Sequence, residues 1–230
     1  VNGLAASYLN LLRPAQWLKN LMLFFPPFLA GHALNPGIIT KGLIPFASFC
    51  MVSSAGYIFN DLLDRKRDLL HPQKSLRAIP SGRISIPSAS LSVFFLFLFG
   101  LILAWLTSAT FFVFLLAYLT VSCCYSIYLK NIPVVDLFCI SAGFLIRLQA
   151  GGELFQIPVS PWLFLTVLLL AIFLSTGKRL SEVQALGSCA GEHRASLHCY
   201  PPGFLSGILN MTAGAVLVTY SMYVLHKPRL

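Results

Sequence analysis

Charge of either sign is scarce in this chain. Its 230 residues hold sixteen lysines and arginines and only seven aspartates and glutamates, so 10% are charged against 57% hydrophobic. That is roughly half the charged fraction of a soluble domain, too little to cover a globule with polar surface. The shortage excludes a disordered chain and a conventional soluble nucleic-acid binder, and no nucleic-acid partner is expected. No cleavable leader is expected, since no basic stretch feeds a short apolar core with a small-residue cleavage site; the first apolar segment is expected to act as its own signal. No CxxC spacing occurs among the six cysteines. Four of them, Cys50, Cys123, Cys124 and Cys139, lie in apolar stretches and read as small hydrophobes rather than as a disulfide framework. Cys189, His193, His198 and Cys199 share one segment but match no zinc spacing.

What the chain does have is length without charge. Residues 84–129 contain no Asp, Glu, Lys or Arg, and neither do residues 154–177. A bilayer-spanning helix needs about 20 apolar residues, so the first run holds two spans and the second holds one. Seven spans are expected near residues 18–34, 43–60, 86–106, 110–129, 134–150, 161–177 and 204–225. Runs such as residues 94–99 are apolar all round, which suits helices and not the alternating strands of a membrane barrel. The expected fold is therefore an all-α, polytopic transmembrane bundle forming one membrane domain over residues 1–230. Lys and Arg cluster in alternate connections, and the positive-inside rule makes residues 61–85 and 178–203 its main cytoplasmic loops. Lys227 and Arg229, just beyond a seventh span that ends outside, fit that rule poorly. The net charge of +9 suits cytoplasmic loops facing anionic lipid, and an anionic substrate.

Nine of the few charged residues fall between positions 61 and 83. The window opens with Asn60-Asp61-Leu62-Leu63-Asp64-Arg65-Lys66-Arg67-Asp68, an NDxxDxxxD pattern at the end of an apolar helix. At about 100° per residue the three aspartates share an arc of about 60°, one helix face over two turns. Like charges placed so closely call for a cation, and Mg²⁺ suits them: it is hard, takes one or two carboxylates, and bridges to substrate phosphates. Asp61, Asp64 and Asp68 are the expected metal ligands, with Asn60 beside them on the substrate. The competing reading is a solvated helix end neutralised by Arg65, Lys66 and Arg67. Ionisable groups at the edge of a membrane core favour function.

Lys74, Arg77 and Arg83 follow in a segment broken by Pro72 and Pro80. Such a segment can fold over a polyanion, Arg giving bidentate phosphate contacts and Lys a point charge; plain positive-inside charge is the alternative. Asp136 and Arg147 lie eleven residues apart within one span, on a shared face but about 16 Å apart along the axis, too far to pair directly. Intramembrane ionisable groups should face the bundle interior, making Arg147 either an anion site or half of a pair with another helix.

These residues resemble the UbiA superfamily of intramembrane prenyltransferases, in which NDxxDxxxD is followed by an HPxKxxR loop, here His71, Pro72, Lys74 and Arg77. The opening Leu12-Arg13-Pro14-Ala15-Gln16-Trp17-Leu18-Lys19-Asn20 is similar to the LRPxQWxKN of one branch, the polyprenyl-phosphate (decaprenyl-phosphate) phosphoribosyltransferases. Similar pieces follow in order: Tyr125-Ser126 with Leu129-Lys130, Pro133-Val134-Val135-Asp136, Arg147 with Gly151-Gly152, Ser160-Pro161-Trp162, Gly177-Lys178-Arg179, and Arg194 with Leu197 and Tyr200. The resemblance extends from about residue 12 to 200. It implies nine spans, of which seven are visible, a cavity open to the cytoplasm and to lipid, Mg²⁺ on the acidic motif, and a bacterial inner membrane. Ala78 stands where the family pattern has Pro. The second aspartate-rich motif of the prenyl-diphosphate users is missing, and Asp136, Arg147, Lys178 and Arg179 occupy that region instead.

The reaction so implied moves a 5-phosphoribosyl group from phosphoribosyl pyrophosphate to a polyprenyl phosphate. Asp61, Asp64, Lys74 and Arg77 are the expected catalytic set. Lys19, Asn60, Arg83, Tyr125, Lys130, Asp136, Arg147, Lys178, Arg179 and Arg194 are expected to bind substrate, in a monomer or a homo-oligomer. The alternatives are prenyl transfer from a diphosphate to an aromatic or quinone precursor, and a non-enzymatic transporter.

Overall fold

The computed structural model describes residues 2–32, 35–70, 72–186 and 200–226, and all regular structure among them is helical. Helix α1 (Asn2–Leu12) leads into a 3₁₀ strap (Pro14–Phe24) and a short α2 (Phe25–Leu29). Then come α3 (Pro36–Asp68), α4 (Ile86–Thr107), α5 (Ala109–Ile127), α6 (Val135–Phe155), α7 (Pro161–Leu186) and α8 (Phe204–His226). Helices α3 to α8 are each long and apolar enough to cross a membrane. Their starts are written in the sequence. Asn35 Oδ1 accepts from Gly37 N with Pro36 in the first turn, and Ser85 and Ser108 cap α4 and α5 through their hydroxyls, satisfying amides that a helix start leaves open.

The all-α bundle agrees with expectation, but among the described residues six helices reach membrane length where seven spans were expected. The difference lies in the first segment. Pro14, Pro26 and Pro27 remove backbone donors, and Asn20 is a fully buried polar residue. The chain winds there as an eleven-residue 3₁₀ strap lying against α3 and α6. Helix α3 continues past the expected span to Asp68, so the aspartate motif is helical throughout, as its shared face required; Arg65, Lys66 and Arg67 in its last turn favour the helix dipole. Helix α7 likewise continues to Leu186.

Helix α3 is the axis of the bundle: 61% of its apolar window is buried, against 17% for α4 and 11% for α8. Phe49 on α3 meets Phe111 of α5 edge-on at 5.6 Å and Tyr118 at the same separation, a favourable aromatic geometry. Ser48 Oγ donates to the Gly100 carbonyl at 2.6 Å, drawing α4 onto α3. The outer side of α4 displays Leu91, Phe94, Phe95, Leu98, Phe99 and Ile102, a surface suited to lipid. Because α3, α5 and α7 end where α4 and α6 begin, the charged connections gather at one end. The opposite end carries the charge-free turn at Ser108.

The strap rests directly on α6. A Cβ at Gly151 would collide with the carbonyl of Leu23, so only glycine permits this approach. Gly151→Ala is expected to destabilise the protein by about 3 kcal/mol through overpacking. Thermal unfolding in detergent should show a drop of roughly 6–12 °C. Gly177→Ala, whose new methyl would meet only Leu209 Cδ1 at 3.5 Å inside α7, should not lower the melting temperature, because alanine favours a helix interior over glycine.

Candidate active site

The aspartates of α3 are held by cations brought from distant parts of the chain. Arg13 Nη2 donates to both carboxylate oxygens of Asp61 at 2.6 Å. Arg77 Nη1 bridges two acids, reaching Asp61 at 3.0 Å and Asp68 at 2.7 Å. Lys130 Nζ donates to Asp64 at 2.6 Å and to Asn60 Oδ1 at 3.0 Å, while Asn60 Nδ2 donates to the other Asp64 oxygen at 3.0 Å. Arg65, Lys66 and Arg67 form no ion pair with these acids among the described residues.

Local structure explains how each cation arrives. Arg13 sits at the junction of α1 and the strap in a left-handed conformation, φ +52°, a costly geometry for a non-glycine residue. Two bonds from α3 hold the junction: Ser54 Oγ donates to the Leu12 carbonyl at 2.8 Å and accepts from Trp17 Nε1 at 2.9 Å. Arg77 is placed by its neighbours Ala78 and Ile79, which are buried in a cluster with Leu11, Ile58, Ile84 and Ala89. Ala78 thus anchors the loop where the family pattern has proline. Lys130 follows α5 in a single 3₁₀ turn.

Beside the acids opens a cavity of about 450 Å³. Of the expected site residues, Lys19, Asn60, Asp64, Asp68, Lys74 and Arg77 line it, as do Tyr125, Lys130, Arg147, Lys178 and Arg179. Asp61 lies beneath Arg13 and Arg77, its side chain 5% exposed against 22% for Asp64. Arg83 stands outside, bonded to Ser81 Oγ and to the Leu76 carbonyl. Arg194, His71 and the Cys189, His193, His198 and Cys199 group lie outside the described residues.

Asp136 is fully buried and underlies the cavity wall. It accepts from Arg179 Nε at 2.8 Å and from Tyr200 Oη at 3.1 Å. Tyr200 in turn accepts from the Val134 amide at 2.8 Å, steadying a valine at φ +68°. Burial pushes the Tyr200 phenol above its usual pKa, so it remains a donor. Arg179 also donates to Glu182 at 2.7 Å.

Deeper on α6, Arg147 Nε donates to Asn20 Oδ1 at 2.8 Å and Nη1 to the Gly143 carbonyl at 2.7 Å. Its guanidinium lies over the Tyr118 ring at 4.3 Å and near Phe49 at 5.8 Å. As the spacing on α6 predicted, Arg147 does not pair with Asp136. Arg13, Asn20, Tyr118 and Glu182 are contributors that sequence reasoning missed. Arg13 and Asn20 had a signal, polar residues in an otherwise apolar opening, whereas Tyr118 and Glu182 had none.

The acids supply hard oxygen donors, the chemistry a magnesium ion prefers. Asp64 and Asp68 face the cavity, and one or two carboxylates suffice when substrate phosphates complete the shell. Among the described residues no three acidic, imidazole or thiol groups converge on one point, so this donor set fits a metal shared with a phosphate better than an all-protein cage.

A helical membrane bundle with an acidic and cationic cavity at its charged end defines a class, and the comparisons agree with it. Residues 24–187 match the UbiA prenyltransferase family. The chain belongs to this family and is a multi-pass membrane transferase. It is similar to the decaprenyl-phosphate phosphoribosyltransferase of Mycolicibacterium smegmatis, 30% identical over 99% of this chain and 73% of the relative. The Corynebacterium glutamicum protein of the same description is 30% identical over 96% and 68% respectively. Among solved structures, a UbiA homolog from Archaeoglobus fulgidus bound to GPP and Mg²⁺ superposes with a TM-score of 0.80, covering 97% of this chain and 80% of its own at 22% identity.

Proposed function

We propose that the chain transfers a 5-phosphoribosyl group from phosphoribosyl pyrophosphate to a polyprenyl phosphate, releasing pyrophosphate. The observation that carries this reading is the charge balance of the cavity. Its wall has eight cationic side chains against three carboxylates, a surplus suited to two polyanionic substrates more than to one diphosphate and a neutral aromatic. The names of the relatives support the same assignment. A lipid oxygen of the acceptor phosphate attacks the anomeric carbon of ribose, and the bond from that carbon to the pyrophosphate oxygen breaks. The nucleophile is already anionic near neutral pH, so no general base is required. Lys74, Arg77 and Lys130 hold the donor phosphates beside α3. Asp64 and Asp68, with Asp61 behind them, would hold Mg²⁺, which neutralises charge on the departing pyrophosphate. Proximity between a water-soluble donor and a lipid acceptor is the main catalytic service. By the positive-inside rule this end faces the cytoplasm of a bacterial inner membrane.

The test supplies the purified protein with phosphoribosyl pyrophosphate labelled in the ribose, polyprenyl phosphate and Mg²⁺. Label is expected in the organic-extractable lipid, and its appearance should require both substrates and the metal. Prenylation of an aromatic acid from a prenyl diphosphate, without labelled lipid, would replace this reading with prenyl transfer.

A further inference from the structure

Arg147 is a buried cation in an unusual setting. Its residue is 4% exposed, yet no carboxylate pairs with it among the described residues. Its bonds go to neutral acceptors, Asn20 Oδ1 and the Gly143 carbonyl. Burying an ion without a counter-ion is expensive, and the other buried cations among the described residues are paired, Lys130 with Asp64 and Arg179 with two acids. The setting is built rather than accidental. Asn20 is fully buried and oriented by its amide donating to Ser53 Oγ at 3.2 Å and Cys50 Sγ at 3.3 Å, which leaves Oδ1 to accept from Arg147. A Cβ at Gly143 would come within 3.3 Å of Arg147 Nη1, so glycine makes room for the guanidinium. Both Arg147 and Lys19 line the cavity.

We propose that Arg147, positioned by Asn20 and aided by Lys19, forms a phosphate-monoester subsite separate from the aspartate end. A monoester dianion supplies the missing counter-charge and matches the planar fork of an arginine. Arg147 stands about 16 Å along α6 from Asp136, deeper in the bundle and against the Tyr118 and Phe49 rings. This depth and apolar lining suit the phosphate of a lipid acceptor, so the inference deepens the proposed function and rests on it. Two sources carry the same chemistry, however: the lipid phosphate and the 5-phosphate of the ribose donor.

The experiment measures equilibrium binding of farnesyl phosphate, farnesol and ribose 5-phosphate to the full chain in detergent, comparing the parent protein with Arg147→Gln and Arg147→Lys. Farnesyl phosphate should bind the parent more tightly than farnesol. Arg147→Gln should weaken farnesyl phosphate about 10- to 100-fold, the range for a hydrogen bond to a charged group, with farnesol unaffected. Arg147→Lys retains the buried charge but not the fork, so an intermediate loss is expected, and it alone decides the matter if the glutamine variant does not fold. Loss confined to farnesyl phosphate assigns the subsite to the acceptor. Loss confined to ribose 5-phosphate keeps the subsite and gives it to the donor. Unchanged binding of both ligands in a folded variant overturns it. Label transfer to lipid can fail while farnesyl phosphate binding persists, so failure of the proposed function is distinguishable.

Discussion

Asp64→Asn is expected to lower kcat by roughly 10³-fold, about 4 kcal/mol of transition-state stabilisation, while moving the melting temperature by no more than about 4 °C. Asparagine keeps the shape of the side chain and one oxygen for Lys130 to donate to, while its amide replaces the oxygen that accepts from Asn60 Nδ2, so the Lys130 bond survives and the Asn60 bond is lost, a cost of about 1 kcal/mol. What disappears is the negative charge of the more exposed aspartate on the cavity wall, the one best placed to hold a metal against pyrophosphate. Asp61→Asn separates the two roles from the other side. Its carboxylate is more deeply buried and engages both Arg13 and Arg77, so neutralising it should cost folding stability as well as turnover. Steady-state rates together with melting curves read both effects. Retained turnover in the Asp64 variant would return that residue to a structural role.

The largest stability effect is expected at Asp136. Asp136→Ala removes a carboxylate that accepts from Arg179 and Tyr200 in a fully buried setting, leaving the more exposed Glu182 as the one acid on Arg179 among the described residues. Breaking a buried pair from one side typically costs about 3–5 kcal/mol, and Tyr200, which steadies the positive φ of Val134, would lose the acceptor of its own hydroxyl. A double replacement, Asp136→Leu with Arg179→Met, should recover much of that loss, because well-packed apolar residues often replace a buried ion pair with little net cost. A double-mutant cycle on thermal unfolding measures the coupling. A neutral Asp136→Ala would show that the pair contributes nothing to the bundle.

The class of the fold was legible from charge placement, because a chain with so few ionisable groups must spend them at helix ends and in its site. The single face shared by Asp61, Asp64 and Asp68, and the separation of Asp136 from Arg147, followed from helical geometry and hold in three dimensions. Pairing did not follow. Arg65, Lys66 and Arg67 are the sequence neighbours of the acids, but the carboxylates bind Arg13, Arg77 and Lys130, the last of these 66 residues from Asp64. Proximity along a chain does not predict which cation a tertiary fold delivers. The first apolar segment was misjudged for a related reason. Hydropathy records that it prefers lipid or core, whereas its prolines and buried Asn20 decide how it winds.

The winding of that strap has a consequence for what it can present. At three residues per turn, Trp17, Asn20 and Leu23 fall in one row, and these are the residues that bond Ser54, hold Arg147 and pack against Gly151. Wound as an ordinary α-helix, the same residues would drift by about 60° at each step and no longer share a row. The rise of about 2.0 Å per residue also stretches the interval from Arg13 to Asn20 to about 14 Å, against about 10.5 Å in an α-helix. The pitch of one short segment therefore acts as a spacer rod, fixing how far the guanidinium at the mouth stands from the amide at the bottom. Two sites that share no side chain are kept in register by a single stretch of backbone.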